Sequence, residues 1–285
     1  MRVHHLNCGS MRPRFGGLVD GQPGVWRAGQ MVCHCLLIET EAGLVLVDSG
    51  LGLHDLAEPR ARLGRRFLSL THPLLAEAET AVRQVAALGF DPADVRHVVL
   101  THLDLDHAGG IADFPTAKVH VYGAEHRAAM NPATRLEKTR YRTVQWSHGP
   151  EWVTYGEDGE SWFGFASVRA LSGLPEEILL VPLAGHTRGH AAVAVDTGEK
   201  WLLHAGDGYF FRGEVDPVDT RSTPVLKLFQ NLVEHDHRTR VGNQRRLREL
   251  VAAHRAEVEV FSAHDAVEIR RYGPTWTERP NRPTA

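Results

Sequence analysis

Apolar residues recur along the chain with two spacings, and each spacing predicts one kind of element. Short runs in which apolar residues are adjacent, or alternate with polar ones, predict strands. The predicted strands lie at 3–6, 31–39, 44–48, 98–101, 118–122, 178–182, 191–196, 201–206 and 258–261. Strands interspersed with helices along the chain predict a layered α/β domain.

Helical spacing predicts four helices. Between residues 74 and 88 apolar residues recur every three or four positions, and Gly89 follows where a glycine commonly ends a helix. Further amphipathic segments predict helices at 124–130, 226–234 and 241–254. No linker divides these elements, so the sequence predicts one domain over residues 1–285.

Two segments, around 51–73 and 131–174, fit neither spacing and are predicted to be inserted loops. The first is rich in arginine, which either attracts an anionic substrate or forms a solvated face. Its arginines are Arg60, Arg62, Arg65 and Arg66. The second is rich in aromatic residues, which either line a substrate site or form a small hydrophobic cluster. The tail from 274 to 285 contains three prolines and is predicted to be irregular.

The composition is that of a globular protein, since 42% of the 285 residues are hydrophobic and 24% are charged. The formal net charge of -3 gives no overall attraction for nucleic acid or an anionic membrane. No apolar run reaches the ~20 residues that span a bilayer, and the first ten residues lack the apolar core of a signal peptide. We therefore expect a cytoplasmic protein that acts on a small molecule, in an oligomeric state left open, a homodimer included.

Three cysteines leave one unpaired in any scheme, so a disulfide framework is not expected. Two of them form the motif Cys33-His34-Cys35, which could bind a soft metal. Because this motif lies within the predicted strand 31–39, packing in that strand is the better interpretation.

The stretch from 98 to 110 carries the densest chemistry. After a β-branched run, His102, Asp104, Asp106 and His107 follow one another within six residues. In an extended segment His102 and Asp104 point to the same side, where they could bind one ion. A turn after them could bring Asp106 and His107 to a second ion. The spacing therefore predicts a site for two metal ions at the end of a strand.

The sequence Thr-His-x-x-x-Asp-His-x-Gly-Gly at 101–110 resembles the signature loop of the metallo-β-lactamase-fold hydrolases. Four further segments resemble motifs of that family in the same order. They are LVLVDSG at 44–50, GHTRGH at 185–190, LLHAGD at 202–207 and SAHD at 262–265. The resemblance covers most of the chain and implies the family's four-layer αββα sandwich. Length, layout and motif order are most similar to those of the quorum-signal (N-acyl homoserine lactone) lactonases.

The same resemblance implies a binuclear centre. The first ion would be held by His102, Asp104 and His186, and the second by Asp106, His107 and His264. Asp207 would bridge the two ions, and Asp48 would orient a ligand without binding metal. Asp104 departs from the family, whose members usually have a histidine at that position.

Two divalent ions, with Zn as the first expectation, would share a hydroxide that serves as the nucleophile. The resemblance then implies hydrolysis of a small ester or lactone, with Asp106 and Asp207 as catalytic carboxylates. Tyr209 follows Asp207 closely enough to lie over the ions, where its hydroxyl could donate to a developing oxyanion. Ordinary burial in the core is the alternative for Tyr209.

Asp104 keeps other functions open. A carboxylate is a harder donor than an imidazole and adds a negative charge, so it moves the preference from Zn toward Fe or Mn. The alternatives are a di-iron redox or oxygen-sensing protein, a mononuclear member in which Asp104 does not touch the metal, and a thioesterase or phosphodiesterase of the same fold. If Asp104 is a ligand, the sequence predicts that Asp104→His raises the affinity for Zn.

Overall fold

The computed structural model describes residues 1–156 and 158–273 and contains two six-stranded sheets. The strands of the first sheet are β1 (Arg2–Met11), β2 (Met31–Thr40), β3 (Gly43–Val47), β4 (Val95–Val99), β5 (Lys118–Tyr122) and β6 (Glu151–Tyr155). They lie side by side in chain order. The first three strands are antiparallel, and β3 to β6 are parallel.

The second sheet also follows chain order. Its strands are β7 (Glu160–Trp162), β8 (Phe165–Ala170), β9 (Ile178–Pro182), β10 (Ala191–Asp196), β11 (Trp201–His204) and β12 (Val258–Phe261). All neighbours are antiparallel except β11 and β12, which are parallel because a helix at His237–His254 lies in the connection between them. The helices are α1 (Gly16–Val19), α2 (Leu53–Ala57), α3 (Pro59–Arg62), α4 (Gly64–Thr71), α5 (Ala81–Ala87), α6 (Gly123–Met130), α7 (Arg135–Arg140), α8 (Pro224–Val233), α9 (His237–His254) and α10 (Ala266–Ile269).

Strand periodicity divides the core into layers. In β3 the leucines at 44 and 46 face a cluster that includes Val85 of α5, whereas the valines at 45 and 47 face the other sheet. Likewise Ala192 and Ala194 of β10 pack with Leu247 and Leu250 of α9. Helices therefore cover the outer face of each sheet, and the predicted four-layer αββα sandwich is confirmed.

The structure differs from the sequence prediction in several segments. The helix predicted over 74–88 is shorter and spans Ala81–Ala87, because Leu75 has a positive φ of 50° and Leu74 is exposed. The segment 51–73, expected to be irregular, contains α2, α3 and α4. Of its four arginines Arg62 is buried against Asp55, and the other three are exposed.

The segment 131–174 contributes α7 and the strands β6, β7 and β8 and is not a plain loop. Its aromatic residues mostly join the cores, as do Tyr141 and Trp146 beneath the first sheet and Phe165 beneath the second. This packing favours the hydrophobic-cluster interpretation over a substrate wall. The tail at 274–285 lies outside the described residues. Within the described ranges, we find no helix that combines the length and the apolar character needed to cross a bilayer.

Candidate metal centre

The candidate ligands lie where strands of both sheets end at a common edge. His102 to His107 follow β4 of the first sheet, and His186, Asp207 and His264 follow β9, β11 and β12 of the second. All three residues from the second sheet are buried. The structure thus brings together all seven residues that the sequence singled out, although His102 and His264 are 162 positions apart.

One oxygen of Asp207 faces a first cluster of side chains. Its Oδ2 lies 3.7 Å from Nε2 of His102 and 3.2 Å from Nε2 of His186. Asp104 completes this group, because its Oδ2 lies 3.5 Å from His102 Nε2 and 3.0 Å from His186 Nε2. The carboxylate of Asp104 therefore occupies the side of the cluster where a third ligand is needed.

The other oxygen of Asp207 faces a second cluster. Its Oδ1 lies 3.3 Å from His107 Nε2 and 3.0 Å from His264 Nε2. Asp106 is nearby, with its Oδ2 3.7 Å from His264 Nε2. The thiol of Cys33 lies within 4.8 Å of the ligand atoms of Asp106 and His264. The sequence favours strand packing for Cys33 over binding of a soft metal, and its position in β2 places the buried thiol at this edge.

The second cluster needs a positive charge between its imidazoles. His107 Nδ1 is bonded to Asp48 at 2.8 Å, and His264 Nδ1 donates to the carbonyl oxygen of Val32 at 2.7 Å. With these protons on Nδ1, the two Nε2 atoms face each other with lone pairs at 3.3 Å. Burial lowers the pKa of His107, but Asp207 and Asp48 more than reverse this and hold the pKa well above its ordinary value. Either protons or metal ions can supply the charge.

The geometry fits divalent metal ions. Ligand atoms about 2.0–2.2 Å from a tetrahedral ion lie about 3.3–3.6 Å apart, which is close to the separations in both clusters. His102 Nε2, Asp104 Oδ1 and Asp207 Oδ1 are buried and have no hydrogen-bond partner. Buried polar atoms without partners are costly unless an ion satisfies them. Imidazole nitrogens with carboxylate oxygens suit Zn, Fe and Mn.

Asp48 contacts His107 on the side of the ring that points away from the two clusters, consistent with the orienting role that the resemblance implies. It follows β3 in a left-handed conformation with φ 53°, which is uncommon for a residue other than glycine. Its carboxylate accepts from the backbone amide of Thr101 at 2.8 Å as well as bonding His107. Burial alone would raise the pKa of Asp48, but His107 lowers it to about 2. The carboxylate is therefore charged and fixes the ring of His107.

The family is decided by comparison with known sequences. The profile described as "Metallo-beta-lactamase superfamily" matches residues 28–254. The chain belongs to the metallo-beta-lactamase superfamily. Members of this superfamily bind divalent metal ions, typically zinc, and the histidine and aspartate clusters described above lie within the matched region except for His264.

Relatives within the superfamily include metallo-hydrolases and lactonases. The chain is 45% identical to a protein of Mycobacterium tuberculosis named "probable metallo-hydrolase", over 93% of this chain and 80% of that protein. It is 40% identical over 132 residues to N-acyl homoserine lactonase AttM of Agrobacterium fabrum, which is 46% of this chain and 49% of the lactonase. An N-acyl homoserine lactone hydrolase with N-hexanoyl-L-homoserine at its catalytic metal center has a TM-score of 0.65 at 20% identity, covering 93% of this chain and 94% of that one. At that identity the last comparison concerns the fold.

Tyr209 requires a correction. The sequence placed its hydroxyl over the metal ions, but the side chain is fully buried beneath the second sheet, and the hydroxyl donates to Glu268 at 3.0 Å. Phe210 takes the position over the site: its ring stacks on His264 at 5.2 Å and lies 5.7 Å from His186. Successive residues of an extended chain point in opposite directions, and Tyr209 is extended, so a shift of one residue reversed the prediction.

Two residues near this superfamily site were missed by sequence reasoning. Glu125, buried at the start of α6, accepts from the backbone amides of Leu103 and Gly189 at 3.0 Å each and so joins two ligand-bearing segments. Arg140, at the end of α7, lies 3.3 Å from Asp104 Oδ2. No local motif marks either residue, because each acts through a contact distant in sequence.

A small cavity opens beside the second cluster. It has a volume of about 190 Å³, including space open to solvent. Its lining is largely apolar and includes Met31, Phe210, Phe211 and Leu226, with His264 at one side. The enclosed part has room for about one water molecule, so this is a shallow apolar recess beside the metal ligands.

Proposed function

We propose that this chain is a binuclear metal-dependent hydrolase of a small ester or lactone. The observation that carries the proposal is the carboxylate of Asp207, whose two oxygens each face a separate cluster of imidazoles. A carboxylate in this position can bridge two ions, whereas a mononuclear site needs only one of its oxygens. The 45% identical relative named as a metallo-hydrolase supports the general activity.

Divalent ions bound there would polarise a carbonyl oxygen and lower the pKa of a coordinated water. The protein's own contribution is to fix the ligands: Asp48 holds His107, and Val32 holds His264. Asp106 is the carboxylate of the second cluster with some exposure, at 13% of its side chain. It is therefore placed to carry a proton to a departing alkoxide as well as to bind metal.

The ester or lactone preference rests on two supports. One is the shallow apolar recess beside His264, whose surface would favour contact with an apolar substituent of a substrate. The other is the identity shared with lactonase AttM over 132 residues. A formal net charge of -3 also gives no general attraction for polyanionic substrates.

The test combines metal content with turnover. Protein purified without chelator should hold about two divalent ions per chain by elemental mass spectrometry, and it should open lactones or cleave esters in a panel that includes thioesters and phosphodiesters. Asp207→Asn keeps the size of the side chain and should reduce turnover at least about 100-fold, with loss of metal. The exposed Asp219→Asn is the matched control and should change neither quantity. Full turnover in Asp207→Asn would exclude the proposed centre.

A second candidate, a di-iron redox or oxygen-sensing protein, is favoured by one observation. Asp104 presents a carboxylate to the first cluster where the family usually has an imidazole, and hard oxygen donors favour iron. Predominant iron, with absorbance that changes on exposure to oxygen and no ester turnover, would select this candidate. Zinc with ester or lactone turnover selects the first.

A further inference from the structure

Arg140 is the positively charged residue that contacts Asp104. Its Nη1 lies 3.3 Å from Oδ2 of Asp104. The same Nη1 donates to the backbone carbonyl of His186 at 3.1 Å, and Nη2 donates to the carbonyl of Val233. The side chain is only 7% exposed. Two backbone carbonyls therefore fix the guanidinium against the one ligand that departs from the family pattern.

The contact with Arg140 balances the negative charge that Asp104 adds where the family usually has a histidine. A carboxylate in place of an imidazole lowers the formal charge of the centre by one, and the adjacent guanidinium raises it by one. The 3.3 Å between Asp104 Oδ2 and Arg140 Nη1 is an ion-pair distance, so the two opposite charges are held in direct contact. Asp104 is thus an anion with a permanent cation beside it.

We infer that Arg140 is a positioning residue whose charge compensates Asp104, so that the Asp104–Arg140 pair takes the place of the family's single neutral histidine. This inference rests on the proposed metal centre. It assigns a function at the centre to α7, an element of the 131–174 segment that carries none of the ligands. It also implies that neither member of the pair can be changed alone without changing the charge at the first cluster.

The inference predicts that Arg140→Gln has a large effect in one background and a small effect in the other. In Asp104→His, Arg140 faces a neutral imidazole and its charge repels the incoming cation. The double variant Asp104→His/Arg140→Gln lacks that charge. Its affinity for Zn²⁺ should exceed that of Asp104→His alone by about tenfold or more. In the wild-type background, Arg140→Gln should change the affinity less than about threefold, since the gain in attraction is offset by the loss of a fixed Asp104. The measurement is competition for Zn²⁺ with a chromogenic chelator, on wild type, both single variants and the double variant.

Two controls separate charge from scaffolding. Arg140→Lys keeps the charge. In each background its Zn²⁺ affinity should equal that of the protein with Arg140. Arg142→Gln removes a neighbouring arginine that donates to the carbonyls of Ala61 and Arg62 and does not contact the ligands, and it should leave Zn²⁺ affinity unchanged. Unfolding of each metal-free variant identifies any that fails to fold, and Arg140→Met then replaces Arg140→Gln.

The outcomes are distinct. If Arg140→Gln weakens Zn²⁺ binding equally in both backgrounds, Arg140 is only a scaffold and the inference is overturned. If it strengthens binding in the Asp104→His background alone, the inference holds whatever the substrate is. Failure of the proposed function has a different signature, namely a wild type that binds two ions but turns over no ester or lactone.

Discussion

At the scale of single residues, Tyr209 and Phe210 are adjacent but point in opposite directions. Tyr209 is buried in the core, and Phe210 faces the metal centre. The Tyr209 hydroxyl donates to Glu268, a buried carboxyl that also accepts from the amide of Ser262 at 2.9 Å. The ring of Phe210 stacks on His264 at the cavity. The polar side chain therefore bonds within the core, and the apolar one lines the cavity beside His264.

We predict that Tyr209→Phe leaves kcat/KM within about threefold of wild type. The variant removes only a hydroxyl that is bonded to Glu268, and its free energy of unfolding should fall by about 1–3 kcal/mol because a buried partner is left unsatisfied. Turnover and urea unfolding measure the two effects. A large loss of turnover with unchanged stability would return Tyr209 to the catalytic residues. Phe210→Ala is the comparison that should alter substrate preference.

Glu268 should make stability depend on pH. Burial and the nearby Asp265 raise the pKa of Glu268 from its ordinary 4.5 to about 8. The folded state therefore holds this proton more tightly than the unfolded state does, and the stabilisation is complete below pH 4.5 and lost as the pH rises through 8. Glu268→Gln should flatten the decline between about pH 5 and pH 8, measured by urea unfolding. Parallel curves for the variant and wild type would contradict the assignment.

At the scale of elements, the segments that carry ligands depend on residues outside them. Glu125 is a clear case, since the first turn of α6 holds the segment after β4 and the turn after β9 together through its two oxygens. Gly189 allows the close approach, because a Cβ there would clash with the amide nitrogen of Glu125. The spacing of His102 from His186 is thus fixed partly by a helix that binds no metal.

We predict that Glu125→Gln weakens Zn²⁺ binding about tenfold and lowers the free energy of unfolding by about 1–3 kcal/mol. An amide has only one oxygen, so it leaves Leu103 or Gly189 without an acceptor. The matched control is Glu151→Gln, whose side chain is 67% exposed. Chelator competition and urea unfolding are the measurements. Loss of stability with unaltered Zn²⁺ affinity would show that Glu125 supports the core alone.

Elements marked by local patterns in the sequence could be predicted. Those defined by contacts with distant residues could not. The strands that end in candidate ligands carry local apolar runs and local motifs, and the seven candidates predicted from them lie together in the structure. The strand β6 was missed because its aromatic residues were assigned to a loop, and only its pairing with β5 defines it. Arg140 was missed for a similar reason, as its contact with Asp104 spans 36 positions. If Arg140 compensates the charge of Asp104 as inferred, Asp104→His alone should weaken Zn²⁺ binding, contrary to the sequence prediction.

At the scale of the whole molecule, each cluster takes ligands from both sheets. Ions bound there would join the sheets, and the unfolded chain has no preformed site. We predict that wild type gains about 2.7 kcal/mol of stability at a free Zn²⁺ concentration about 100 times the Kd, relative to chelator-treated protein. Asp207→Asn should show little dependence on Zn²⁺. Equal responses of the two proteins in urea unfolding would place the stabilising metal elsewhere.

The order of the strands suggests how the chain could be divided into two halves whose association responds to Zn²⁺. Every described strand up to Tyr155 belongs to one sheet, and every one from Glu160 belongs to the other, so a break between them leaves both hydrogen-bonded ladders intact. The first fragment would keep Asp104 and the other ligands after β4, and the second would keep His186, Asp207 and His264. Neither fragment can complete a cluster alone. Expressed separately and fused to a split reporter, the two halves should give a stronger signal when Zn²⁺ is present, because the ions would add to the apolar contacts between the sheets.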